Sequence, residues 1–172
     1  KSCGPSTADH DCLSLKYVVY RDSSGKAYAD ETLAEKDIQF VNSLWEQCQI
    51  SFQIDEYLAV APKDYGLDPG NGAQSELDTI RKTFQDNSRI LLVTTGPWTG
   101  SIAGWTNMPG SSLAGAIVSS DVSTYPAIMA HELGLGAAGL LVGLTYGQIK
   151  QPADASWLLY GLKAFVAAVI GG

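Results

Sequence analysis

Basic residues are scarce in this sequence, with 11 Lys and Arg against 18 Asp and Glu and a formal net charge of −7. They form no cluster at any point along the chain. Nucleic acids and anionic membranes are bound through such clusters, because the protein cations replace the counterions of the phosphates. The sequence therefore excludes nucleic acid as a partner.

Long apolar runs are also missing. The most apolar stretch, residues 157–170, is shorter than the roughly 20 residues that a membrane span needs, and Lys163 interrupts it. We expect it to form a core helix that begins near Asp154, and we expect no membrane span. From Lys1 onward no charged segment is followed by an apolar one. We therefore expect a chain that is mature or that never carried a signal peptide.

The three cysteines, Cys3, Cys12 and Cys48, contain no CxxC pair of the kind that holds a structural zinc or forms a redox site. In an exported protein we expect one disulfide, between Cys48 and either Cys12 or Cys3. The alternative is a cytosolic protein with three reduced, buried thiols. Of the two, we favour a secreted or periplasmic location.

The composition is that of a globular protein, with 45% hydrophobic and 17% charged residues. A chain of 172 residues fits one domain, and a domain of this size buries roughly 70% of its unfolded surface. We therefore expect a single domain over residues 1–172 and a monomer.

The apolar periodicity predicts strands that alternate with helices. Residues 13–22 and 49–57 are typical of strands, and the segment between them predicts a helix with a capping box at Thr32 and Glu35. Residues 61–73 are rich in Pro and Gly and predict a surface loop.

The second half of the pattern continues this alternation. A helix capped by Ser75 and ended at Asn87 leads to the continuous apolar run 89–96, which is typical of a central strand. Two short strands follow, around 101–106 and 115–119, and we expect one of them at a sheet edge. Ser123 or Thr124 then caps a helix through AIMAHELG, and the glycines beyond it leave its end undetermined.

Together these elements predict an α/β (α+β) fold. We expect a twisted mixed sheet of about five strands, two packed helices, the helix that carries AHELG, and a C-terminal helix.

The stretch MAHELGLGAAGLL, residues 129–141, carries the start of a zinc-hydrolase motif. Such a helix needs two imidazoles four residues apart, because 3.6 residues per turn then place both on one face. A glutamate beside the first takes a proton from the metal-bound water. His131 and Glu132 are present, but position 135 is Leu135. By itself a single His-Glu pair favours a structural histidine over a metal ligand.

Two longer segments, FVNSLWEQCQISFQI and STYPAIMAHELG, occur in an order of strands and helices that resembles the metzincin zinc endopeptidases, especially the matrixin-like ones. The resemblance covers most of residues 13–160. It implies zinc as the cofactor, with ligand positions at His131, Leu135 and Leu141 and the general base at Glu132. Leucine coordinates no metal, so two of the three ligands are absent from this sequence.

The resemblance also places the methionine-bearing loop beneath the metal, the Met-turn, at Leu159 and Tyr160 in ASWLLYG. Here too leucine stands where the family has its hallmark residue. Three such replacements indicate a metal pocket converted into hydrophobic core, either by natural loss or by engineering. We therefore expect a protein of metalloendopeptidase lineage that is inactive or strongly impaired, a pseudoenzyme.

In the family an extended peptide pairs with an edge strand above the zinc helix, and GSIAGWTNMPG matches that strand in position. The resemblance implies Trp105, Thr106 and Asn107 as substrate-binding residues. Main-chain pairing needs no metal, so the alternative hypothesis is a non-enzymatic module that binds a peptide or protein. Two further hypotheses are a working zinc peptidase with other ligands and an α/β domain without peptidase ancestry.

Overall fold

A computed structural model describes Cys3 and residues 10–86, 88–107, 112–120 and 125–148, the last range with side chains from 126 to 137. These residues form a mixed five-stranded sheet with three helices, which confirms the predicted α/β fold. The elements in chain order are β1 (Asp11–Tyr20), α1 (Glu31–Trp45), β2 (Ile50–Val60), α2 (Gln74–Phe84), β3 (Ile90–Thr95), β4 (Gly104–Thr106), β5 (Ala116–Ser119) and α3 (Tyr125–Gln148).

The sheet has the strand order β2-β1-β3-β5-β4. Strands β1, β2, β3 and β5 run parallel, and β4 pairs antiparallel with β5 at one edge. Strand β3 lies at the centre of the sheet, as predicted. Its sequence is a continuous apolar run because helices cover both of its faces. The predicted edge strand is β4.

Both faces of the sheet are buried. Tyr17 and Val19 of β1 face a core that is shared with α1 and α3, whereas Val18 and Tyr20 face a second core beneath α2. This alternation is the two-residue period of a strand. Helix α3 therefore lies on the same face as α1, and α2 lies on the opposite face.

Two predicted helix caps are wrong. The carboxylate of Asp30 accepts a hydrogen bond from the Leu33 N–H at 2.9 Å, so α1 begins before Thr32 and the capping box with Glu35 does not cap it. Helix α2 begins after Ala73 rather than at Ser75, which is already inside the first turn. Its last residue is Phe84 instead of Asn87, because the chain turns to extended backbone at residue 85.

The predicted disulfide partner is wrong as well. Cys3 and Cys12 form the disulfide, with their Cα atoms 5.8 Å apart, and Cys48 is a half-buried free thiol. The Cys3 N–H donates to the side-chain oxygen of Gln53 at 3.2 Å, which holds Cys3 against β2. Cys48 instead ends the short 3₁₀ helix that joins α1 to β2.

The predicted C-terminal helix near Asp154, the apolar run 157–170 and the proposed caps at 123 and 124 lie outside the described residues. Within the described residues, no helix combines the length and apolarity that a membrane crossing requires. Residues 61–73 form a loop with one short 3₁₀ helix, Pro62–Tyr65, in agreement with the predicted loop.

Candidate functional site

Helix α3 carries the His-Glu pair and continues through the glycines where its end was undetermined. One side of it is fixed against α1. The indole Nε1–H of Trp45 donates to the Ala130 carbonyl at 3.0 Å, and its ring lies where a Cβ of Gly134 would be. The absence of a side chain at Gly134 therefore allows α1 and α3 to pack closely.

Another side of α3 lies against the edge strand β4. A Cβ at Gly104 would be 2.8 Å from Cγ of Glu132 and equally close to Cγ2 of Ile128, so glycine permits this approach. The Thr106 hydroxyl donates to the backbone carbonyl of Glu132 at 3.0 Å. Glu132 thus lies directly beneath β4.

The Glu132 side chain is buried, with 7% of its surface exposed. Among the described residues no group hydrogen-bonds its Oε2. Burial raises the pKa of the Glu132 carboxyl, while Thr106, His131 and Arg81 act in the opposite direction. The Glu132 carboxyl is therefore enclosed within the described part of the fold.

His131 and Leu135 lie on the flank of α3 that points past β4. Residues 128, 132 and 136 of α3 contact β4. Because successive residues of a helix are rotated by about 100°, residues 131 and 135 lie next to this contacting face, on the open side of the helix. Both side chains are half-buried. The structure thus brings His131 and Leu135 together, as the motif spacing predicts.

Leu141 does not share this position. The backbone of α3 is helical from 125 to 148. Along an unbroken helix, residue 141 lies about 15 Å from residue 131 along the axis and about 80° around it. One ion could not reach both positions. The side chain of Leu141 is beyond the described side chains, and Leu159 and Tyr160 of the predicted Met-turn lie outside the described residues.

The donor set does not fit a catalytic zinc. Such a zinc takes three protein ligands and a water. No group of three His, Cys, Asp or Glu side chains with metal-binding geometry occurs in the described parts of the chain. At the motif itself, the residue one turn after His131 is Leu135, which has no donor atom. The residues described here therefore support no metal-dependent step.

A residue that the sequence analysis missed, Arg81 of α2, lies beneath the same strand from the other face. Its side chain is fully buried. Its Nη2–H donates to the Trp105 carbonyl at 2.9 Å, its Nε–H donates to the Gly115 carbonyl at 3.1 Å, and its Nη1 pairs with Asp78 at 3.2 Å. The sequence feature that could have identified Arg81 is its position four residues after Leu77, on the apolar face of α2.

The predicted substrate-binding residues have different surroundings. Trp105 is 41% exposed and, by strand alternation, lies on the face opposite Gly104 and Thr106. The Thr106 side chain is turned toward α3. The Asn107 amide donates to the Leu113 carbonyl at 2.8 Å and accepts from Gln74 at 3.3 Å, so it links β4 to its neighbours.

A second tryptophan, Trp98, covers the sheet. It is buried, its indole N–H donates to the Thr95 hydroxyl at 2.7 Å, and its backbone N–H donates to the Ser119 hydroxyl at 3.0 Å. Trp98 is therefore part of the core, while Trp105 remains accessible.

Within the part of the chain that the structure describes, β4 is an edge strand and no other strand pairs with its outer side. The Ser119 N–H donates to the Ala103 carbonyl at 2.8 Å, so residues 103 and 105 face β5. In an antiparallel ladder the intervening residues then point their N–H and C=O groups outward, here those of Gly104 and Thr106. Ile102, 54% exposed, stands beside this edge.

Comparison with known proteins supports the fold. The sequence matches no family model and no curated protein. The fold is shared with a solved bacterial metalloproteinase. Metalloproteinase-II from Bacteroides fragilis matches with a TM-score of 0.54 and 14% identity, covering 78% of this chain and 44% of that one. Archaemetzincin from Methanopyrus kandleri has a TM-score of 0.47 and 14% identity, covering 78% and 77%.

A chain from a chaperone-substrate complex also matches, with a TM-score of 0.54 and 14% identity over 75% of this chain. The present chain covers 24% of that protein and 44% of the Bacteroides enzyme. At this identity the likeness concerns the fold alone.

Proposed function

We propose that this chain is a domain of metzincin lineage that binds an extended peptide along β4 and does not hydrolyse it. The observation that carries the proposal is Leu135. It occupies the flank of α3 beside the open edge of β4, one turn from His131, where a peptidase of this fold would hold its metal.

The absence of hydrolysis follows from the donor atoms. A single imidazole leaves a zinc ion short of two protein ligands. Glu132, which the resemblance assigns as general base, is buried beneath β4 with its carboxylate close to Gly104. With no metal-bound water beside it, the carboxylate has no nucleophile to activate.

Peptide binding does not depend on these missing groups. The outward N–H and C=O groups of Gly104 and Thr106 allow a peptide to add to the sheet as a further strand. Trp105 and Ile102 supply exposed apolar surface next to this edge. Because alternate side chains of an added strand point to opposite faces, one of its residues would pack against Trp105.

A working zinc peptidase with other ligands is the competing function, and two measurements on the purified protein separate it from our proposal. Elemental analysis should find less than about one zinc per ten chains, and casein should remain uncleaved. One tightly bound zinc per chain with chelator-sensitive cleavage would replace our proposal by this alternative.

Binding is tested with a library of extended peptides immobilised on a sensor surface. We expect saturable binding that chelator does not change. N-methylation of the peptide nitrogens that face β4 should abolish binding, while methylation of the alternate nitrogens should not, because only one edge of the peptide pairs.

A matched pair of variants locates the surface. Trp105→Ser should weaken peptide binding, whereas Phe40→Ser, which removes an equally exposed aromatic side chain from α1, should leave it unchanged. Equal effects of the two variants would contradict binding along β4.

The setting of this function is a further part of the proposal. The Cys3–Cys12 disulfide supports an exported, secreted or periplasmic protein, because disulfides persist in oxidising compartments. We propose a single domain over residues 1–172 that acts as a monomer. Sedimentation of the purified chain at micromolar concentration would check the oligomeric state.

A further inference from the structure

We infer that Arg81 and Glu132 form a charged clamp that holds the edge strand β4 between α2 and α3 in the position from which it binds peptide. This inference rests on the proposed function. It assigns to Glu132 a positioning role in place of the catalytic role implied by its motif.

The clamp is needed because β4 is short. It contains three residues, Gly104–Thr106, and within the described sheet it pairs with a single strand, β5. A strand of this length has few ladder hydrogen bonds to oppose fraying. A peptide that adds to a frayed edge must also order that edge, and this cost weakens its binding.

From the α2 face, Arg81 holds the backbone directly. Two of its N–H groups donate to the carbonyls of Trp105 in β4 and of Gly115 immediately before β5. One fully buried guanidinium therefore joins the two strands, and Asp78 fixes its orientation. The planar fork of arginine makes both bonds at once, which the single ammonium of lysine does not reproduce.

From the α3 face, Glu132 reaches the strand at Gly104. The missing Cβ lets the carboxylate approach the backbone, and the carbonyl of the same residue accepts the Thr106 hydroxyl. Asp78 pairs with Arg81 directly, and Glu132 adds a weaker attraction from the opposite face of the strand.

The test is a double-mutant cycle with Arg81→Met, Glu132→Gln and the double variant, and the readout is amide hydrogen exchange. The ladder amides of Trp105 and Ile117 report on β4, and those of β1 and β2 report on the whole domain. We expect exchange at Trp105 and Ile117 to accelerate about tenfold or more in each single variant while β1 and β2 change less. The acceleration of exchange in the double variant should be smaller than the product of the accelerations in the two single variants.

Peptide affinity is measured on the same variants for a peptide that binds the parent chain. We expect a loss of about tenfold in Arg81→Met, and Arg81→Lys should resemble Arg81→Met because charge alone does not restore the two carbonyl bonds. Arg89→Met is the matched control, since Arg89 pairs with Asp86 and Glu56 away from β4. It should leave affinity unchanged.

Two outcomes would overturn the clamp: uniform acceleration of exchange in all strands, or strictly multiplicative effects in the double variant. If Arg81→Met does not fold, the same comparison of exchange rates is made with Arg81→Lys, and it tests the clamp in the same way. A parent chain that binds no peptide would refute the proposed function, while the exchange measurements would still test the clamp itself.

Discussion

Replacing Leu135 with histidine should create a metal site, because position 135 lies one helical turn beyond His131 on the same flank of α3. The two positions are about 6 Å apart along the helix axis and about 40° apart around it. Two imidazole nitrogens can then reach one Zn²⁺ at about 2.0–2.1 Å each, and solvent completes the coordination. The flank is half-buried beside an open strand edge, so the ion has access.

The size of the effect follows from binding linkage. Zinc at 100 times its Kd stabilises the folded variant by about 2.7 kcal/mol. For a domain of this length each kcal/mol raises Tm by about 2–4 °C, so the expected shift is about 5–10 °C. Thermal unfolding with and without zinc measures it, and titration calorimetry supplies the Kd. Leu135→Gln, which cannot form the pair, should show no shift.

Leu141→His distinguishes this geometry from the ligand set implied by the family resemblance. On the unbroken helix, residue 141 is about 15 Å from residue 131, so Leu141→His alone should bind no zinc and should add nothing to Leu135→His. If the double variant binds zinc more than tenfold tighter than Leu135→His, then α3 does not continue as described. Our account of the missing metal site would then fail.

Three further predictions concern stability. Burial raises the pKa of Asp37 to about 6 from 3.8, so the folded state holds this proton more tightly and stability falls as pH rises from about 4 to about 6. In urea unfolding, the free energy of unfolding of Asp37→Asn should exceed that of the parent by up to about 3 kcal/mol at pH 8 and equal it near pH 3. Cys3→Ser, which opens the Cys12 disulfide, should lose about 2–3 kcal/mol for a loop of this length. Gly134→Ala should lose about 1–3 kcal/mol because its methyl group overlaps the Trp45 ring.

Each of these predictions has its own control. A pH-independent gain in Asp37→Asn would show that the carboxyl is not buried in the folded state. Cys48→Ser should leave stability almost unchanged, and a loss equal to that of Cys3→Ser would contradict the pairing. Gly136→Ala should stabilise α3 by about 1 kcal/mol, since the nearest atom to its Cβ is Thr106 Cγ2 at 3.8 Å. We therefore expect Gly134→Ala to lower stability and Gly136→Ala to raise it.

Local patterns predicted the elements of the fold because burial leaves a periodic trace in the sequence. The three- and four-residue steps of Ala34, Ile38 and Val41 predicted α1, and the continuous apolar run predicted the central position of β3. The caps were less predictable. Asp30, Thr32 and Ser75 are all good capping residues, and only the entry path of the chain selects among them.

The resemblance drew attention to His131, Leu135 and β4, whose role as a site stays a prediction. It did not locate Arg81, because an arginine among apolar residues is usually read as a surface position. Its burial depends on the carbonyls of Trp105 and Gly115, 24 and 34 residues further along the chain.

The sequence by itself determined the order of strands and helices and the lack of a donor atom at Leu135, one turn after His131, since both depend on residue type and local period. Tertiary structure alone decided that Cys12 pairs with Cys3, that Glu132 is buried beneath Gly104, and that Arg81 supports the edge strand from the other side. These are contacts between distant segments, and their choice depends on how the whole sheet and its helices pack.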